Sequence, residues 1–151
     1  MKESFLPQVS EVTISYCPKV KASDRPRIVS SRDAESILRA AWSEDMELLE
    51  EFVVLFLNKA NKVTGLFRVS RGGTSGTVVD AKIVFSAAIK ALASGLILAH
   101  NHPSGNLQPS SADTDLTKRF KEIGKLLEIE VLDHLILTAE RYFSFADEGM
   151  I

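Results

Sequence analysis

Three histidines occur in this chain, and two of them, His100 and His102, are one residue apart. In an extended segment residues i and i+2 point the same way, so both imidazoles can converge on one cation. Ser110 and Asp113 follow at i and i+3, where a helix is predicted to start. They share a face, which makes Asp113 a candidate third ligand. Two histidines and one aspartate leave a fourth tetrahedral position open. Such a position holds a water whose pKa a zinc ion lowers from about 15.7 to about 7, beside a carbonyl the ion can polarise. The chemistry also needs a general base that is a carboxylate but not a ligand. Glu50, at the start of an apolar strand, and Glu51 after it are the candidates. Ser110 can donate its hydroxyl to a developing oxyanion.

Each piece has a plainer reading. A histidine pair can be incidental surface. Ser110 with Asp113 fits a capping box, serine at the N-cap and an acid at N3. Glu50 and Glu51 can be solvated strand ends. The metal reading gains weight because all the pieces fall where one site would need them. Among other zinc classes, the H-E-x-x-H of zincins and the P-C-x-x-C of zinc deaminases are both missing from the sequence.

The 151 residues, 45% hydrophobic and 25% charged, are the size of one domain with its own core. No apolar run approaches the roughly 20 residues of a membrane span, and the opening MKESFLPQVSE lacks an apolar signal region. The single cysteine, Cys17, forms no intramolecular disulfide and no multi-cysteine zinc site. It reads as a small strand residue, and a cytoplasmic location is the expectation. The net charge of −2 conceals a segment over 59–125 with ten basic and four acidic residues, the natural face for an anionic partner. Lys118, Lys121 and Lys125 there lie along one helix face, which also reads as solvated surface.

The elements that must position these residues follow from periodicity. Val12, Ile14 and Tyr16 alternate with polar neighbours and predict a strand in an arm over 1–30, able to pair with a second subunit. Ala34, Ile37, Leu38, Ala41 and Trp42 form a helical stripe after a Ser30–Ser31 cap. Residues 50–58 and 63–70 predict a hairpin. RGGTSG over 71–76 reads as a loop without phosphate-loop spacing. Asp80 can cap a helix over 81–94 that Gly95 ends. The run over 96–100 reads as a central strand. A loop and a helix over 112–127 follow, with Leu116, Phe120, Ile123 and Leu127 inward. Strands over 130–138 and 142–145 close the chain. The class is α/β or α+β with a mixed sheet. His134, beside Asp133, reads as a ring hydrogen-bonded inside the sheet, or as a group orienting ligands or substrate from behind the metal. Asn101 and Ser104 read as loop-shaping residues that can also reach substrate.

The series His100-x-His102, Ser110, Asp113 resembles the JAMM motif of the JAB/MPN metalloproteases. AHNHPSG (99–105), the following P-S-x-x-D (109–113), VLDHLIL (131–137) and YFSFAD-x-G (142–149) resemble the bacterial RadC family over about 31–151. The resemblance implies a mixed, partly barrel-like sheet flanked by helices, similar to the cytidine-deaminase architecture. It implies one zinc ion held by His100, His102 and Asp113, Glu50 as the base and Ser110 as the oxyanion donor. Glu50 is preferred to Glu51 because RadC-like chains read E-x-F at this point, and because Glu51 would face the other side of the strand. The implied activity is hydrolysis of an amide or isopeptide bond in a peptide or protein. The family's name comes from DNA repair, so nucleic acid is a second candidate partner, and a non-catalytic MPN-like interaction module is a third reading. RadC proteins carry an N-terminal helix-hairpin-helix, which needs glycine. No glycine precedes Gly65 here, so that module is expected to be missing.

Overall fold

The computed structural model describes residues 8–13, 15–43, 45–72 and 78–151. A helix α1 (Ser31–Ala41) precedes strands β1 (Glu51–Leu57) and β2 (Val63–Arg71). Helix α2 (Ala81–Lys90), strand β3 (Gly95–Asn101) and helix α3 (Ser111–Leu127) follow, then β4 (Glu130–Leu137) and β5 (Tyr142–Ser144). The strands form one mixed, open sheet in the order β2-β1-β3-β4-β5. Only β3 and β4 run parallel, and α3 is the crossover that a parallel pair requires.

β1 and β3 are buried along their whole length. Their alternating side chains build two cores. Phe52, Val54, Phe56, Leu96 and Leu98 pack against Val84 and Phe85 of α2 and Phe120 of α3. Val53, Leu55, Leu57, Ile97 and Ala99 pack against Ala34 and Leu38 of α1. By the same alternation His100 lies on the α2/α3 face.

A bulge in β4 changes which residues share that face. Leu96 pairs with Val131 but Ile97 pairs with Asp133, so Leu132 is left over. The extra residue reverses the alternation. Val131 belongs to the α2/α3 core, whereas Leu135 and Leu137 belong to the α1 core. His134 is thereby turned onto the face that carries His100.

Three expectations are corrected, and most of a fourth lies outside the described residues. The arm has no strand among its described residues. Ile14 lies outside them; Val12 and Cys17 are exposed, and neither pairs with a strand among the described residues. Tyr16 instead donates its hydroxyl to the Thr64 carbonyl. Helix α2 stops at Lys90, well before Gly95. Leu92 takes a left-handed φ of 53°, and bonds from Ala93 N to Ala88 O and from Leu92 N to Ile89 O close a Schellman turn. Gly95 instead opens β3, paired with Leu57. Leu127 is exposed, and Thr117 and Gly124 join Phe120 as the buried residues of α3. Of RGGTSG, Arg71 ends β2 and residues 73–76 lie outside the described residues.

Gly124 has a specific reason to lack a side chain. A Cβ there would lie 2.2 Å from the Ile129 carbonyl oxygen, and Ile129 N is itself bonded to Gly124 O at 2.8 Å. Neither backbone segment can move alone. Gly124→Ala is expected to cost about 3 kcal/mol, the upper end of ordinary overpacking. That corresponds to a fall in thermal midpoint of about 6–12 °C for a domain this size, measurable by calorimetry.

Candidate metal centre

The end of β3, the loop after it and the first turn of α3 bring three side chains together. His100 Nε2 lies 3.0 Å from His102 Nε2. Asp113 Oδ1 is 3.3 Å from His100 Nε2, and its Oδ2 is 3.4 Å from His102 Nε2. Glu50, one residue before β1, places Oε1 3.9 Å from His100 Nε2. Glu50, His100 and His102 each offer a ligand atom within 4.8 Å of the others. Both carboxylates therefore adjoin the two rings, and Asp113 is the closer.

Each group is held by its local structure. His102 heads a turn closed by Gly105 N bonding His102 O at 3.0 Å. Gly105 has a φ of +85°, which favours glycine. Ser104 Oγ accepts from Asn106 N at 3.3 Å, and the Asn106 carbonyl accepts from His102 Nδ1 at 2.6 Å. A carbonyl only accepts, so Nδ1 carries a proton, and in the neutral ring His102 Nε2 is a bare lone pair. Asp113 is fixed by the capping box: its Oδ2 accepts from Ser110 N at 2.9 Å, and Ser110 Oγ accepts from Asp113 N at 3.0 Å. The cap and the cluster are compatible because one carboxylate serves both. Glu51 points away, as alternation predicts, and pairs with Arg71 at 3.6 Å and Arg68 at 3.9 Å.

The electrostatics fit a cation. A hydrogen bond to Asp113 that only the protonated ring can give raises the pKa of His102, despite the opposing effect of burial. Burial pushes the Asp113 carboxyl upward, but the neighbouring His100 and His102 rings and the Ser110 N–H outweigh it and hold the group far below the usual carboxylate range. Asp113 is thus anionic at neutral pH. Two imidazoles and two carboxyl groups face one another at these distances, so the cluster could hold a metal.

His134 is fully buried. Its Nε2 lies 2.8 Å from His100 Nδ1 and its Nδ1 lies 2.6 Å from Thr117 Oγ1. It is thus a ring hydrogen-bonded in the sheet and a direct neighbour of His100 at once. Burial, then the neighbouring His100, lowers its pKa well below the ordinary imidazole value and so favours the neutral ring.

Asn101 is not a loop residue. It ends β3, fully buried, and its side chain accepts from Glu51 N at 2.7 Å and donates to the carbonyls of Met46 at 2.6 Å and Leu49 at 2.9 Å. These bonds tie the backbone on either side of Glu50 to the strand that carries His100. Asn101→Ala is expected to cost about 3 kcal/mol through unsatisfied buried groups, and to displace Glu50. Thermal unfolding of the variant measures the first effect.

Thr117 went unmarked at the level of sequence. Its signal was a polar residue on the inward face of an amphipathic helix, four positions after Asp113 and so one turn above it.

A model of the family described as RadC-like JAB domain matches residues 28–150. A UPF0758 protein of Flavobacterium johnsoniae is 48% identical over 124 residues, covering 82% of this chain and 53% of the relative. UPF0758 proteins of Porphyromonas gingivalis and Rubrobacter xylanophilus are 39% and 42% identical, over 88% and 84% of this chain and 60% and 55% of the relatives. The chain therefore spans little more than half the length of these relatives. No helix among the described residues is long and apolar enough to cross a membrane.

Proposed function

The chain belongs to the RadC-like JAB domain family, and we propose that it is a zinc-dependent hydrolase of amide or isopeptide bonds in peptides or proteins. The observation that carries this reading is the convergence of His100 Nε2, His102 Nε2 and Asp113, 3.0–3.4 Å apart, with Glu50 just outside them. Ligand bonds of about 2.0–2.2 Å in a tetrahedron put neighbouring donors about 3.3–3.6 Å apart, close to the spacing here. His100, His102 and Asp113 would hold the ion, and the donor set is one that suits zinc.

A zinc ion bound there supplies Lewis acidity, acidifying water and polarising a carbonyl oxygen. The chain's own residues do the rest. Glu50 takes a proton at its side-chain carboxylate and returns it to the leaving amine. Ser110 Oγ is engaged as an acceptor by Asp113 N, which leaves its hydroxyl proton for the developing oxyanion.

The test is a panel of fluorogenic peptide amides and isopeptide-linked peptides, assayed with zinc-reconstituted and chelator-treated protein. Hydrolysis of at least one substrate, lost on chelation and regained with zinc, supports the reading. No turnover on any of them by fully zinc-loaded protein counts against it.

A DNA-associated role is equally compatible with the family. Its physical support is the exposed row Lys118, Lys121 and Lys125 on α3. It predicts duplex binding that weakens steeply with salt through counterion release. Undetectable binding at low salt removes it.

A further inference from the structure

The chain of hydrogen bonds behind His100 has a direction. It begins at the Asp113 carbonyl, which can only accept, so Thr117 Oγ1 donates its proton there at 2.7 Å. With its proton committed, Thr117 Oγ1 accepts from His134, 2.6 Å away. The ring is fully buried and hydrogen-bonded to a hydroxyl and an imidazole, so with its one proton on Nδ1 the His134 Nε2 is a bare acceptor. That acceptor lies 2.8 Å from His100 Nδ1, which must carry the proton. His100 Nε2 is then the lone pair, and it faces His102, Asp113 and Glu50.

We propose that His134, set by Thr117, is a positioning residue that fixes the Nδ1–H tautomer of His100 and so keeps its Nε2 open to a metal ion. The inference rests on reading the cluster as a metal site, but not on any hydrolytic activity.

Packing holds the relay in place. The His134 ring stacks on Phe145, with centroids 4.8 Å apart and planes 11° from parallel. Phe52 meets it edge-on at 5.7 Å and stacks on His100 at 5.9 Å. The β4 bulge that turns His134 to this face is therefore part of the device. Asp113 stands at both ends of the circuit, its carbonyl receiving Thr117 and its carboxylate facing His100. The position of α3 and the tautomer of His100 are thereby coupled. Partners that orient a ligating histidine in this way are worth about 10–100-fold in metal affinity.

The experiment has two readouts that do not depend on catalysis. The first is long-range 15N–1H correlation NMR of the histidine rings in metal-free wild-type protein. The expected result is Nδ1–H for both His100 and His134. Nε2–H as the main form of either ring overturns the proposal. The second is zinc affinity, from competition with a chromophoric chelator, for wild type, His134→Phe, His134→Gln and Thr117→Val. Phenylalanine keeps the ring packing but cannot accept a bond, and a 10–100-fold weaker zinc affinity is expected. Glutamine, whose amide oxygen can accept from His100, is expected to recover part of it. Thr117→Val preserves shape but frees His134 to reverse, so the Nε2–H form of His100 should appear. If His134→Phe fails to fold, Thr117→Val with the wild-type spectrum decides. Unchanged tautomers in Thr117→Val, or unchanged zinc affinity in a folded His134→Phe, overturn the proposal. Inactivity toward every amide substrate with these results intact would sink the hydrolase reading alone.

Discussion

Glu50→Gln is expected to keep one equivalent of zinc while losing about 10²–10⁴-fold in kcat, the range a positioned general acid–base group supplies. The two effects separate because of where Glu50 stands. Its Oε1 is 3.9 Å from His100 Nε2, whereas Asp113 approaches both rings at 3.3 and 3.4 Å. Glutamine preserves the size and the polar contacts of the side chain but cannot take a proton at neutral pH. Turnover assays on a responsive substrate and zinc analysis by mass spectrometry read the two quantities. Retained activity would show that Glu50 is not the base. Loss of zinc would show that it is a ligand.

Asp113→Asn separates the metal role from the helix cap. The asparagine carbonyl can still accept from Ser110 N, so the cap bond survives and the change in folding stability should stay below about 1 kcal/mol. The anionic ligand is gone, however, together with its attraction for the cation. Zinc affinity should fall by more than the roughly 10–100-fold typical of losing an outer partner. Chelator competition measures the affinity and thermal unfolding of the metal-free protein the stability. An Asp113→Asn protein that binds zinc as tightly as wild type would reduce Asp113 to its cap.

The parts of this molecule that follow from local pattern were visible in its sequence. The amphipathic stripe of α1, the buried runs of β1 and β3 and the Ser110–Asp113 cap each depend on residues near one another in the chain. The approach of His100 to His102 needed only strand geometry. The resemblance over 99–113 then linked these residues to Glu50, fifty positions upstream of His100.

What stayed hidden depends on register and on contacts between distant elements. Alternation alone cannot place His134, because the extra residue Leu132 reverses the face of everything after it in β4. Asn101 looks like a loop residue beside Pro103 and Gly105, yet its three bonds go to residues 46–51, which no local rule connects to it. The arm misled for the opposite reason. Val12 and Tyr16 have the spacing of a strand, but alternation makes a strand only where a neighbour supplies hydrogen bonds.

The most direct test of the metal centre is a crystal structure of the zinc-reconstituted protein with anomalous scattering at the zinc edge. The expected result is one peak about 2.0–2.2 Å from His100 Nε2, His102 Nε2 and an Asp113 carboxylate oxygen, with Glu50 outside the coordination sphere. No peak at this cluster, or a peak ligated by Glu50 with Asp113 left out, would contradict it.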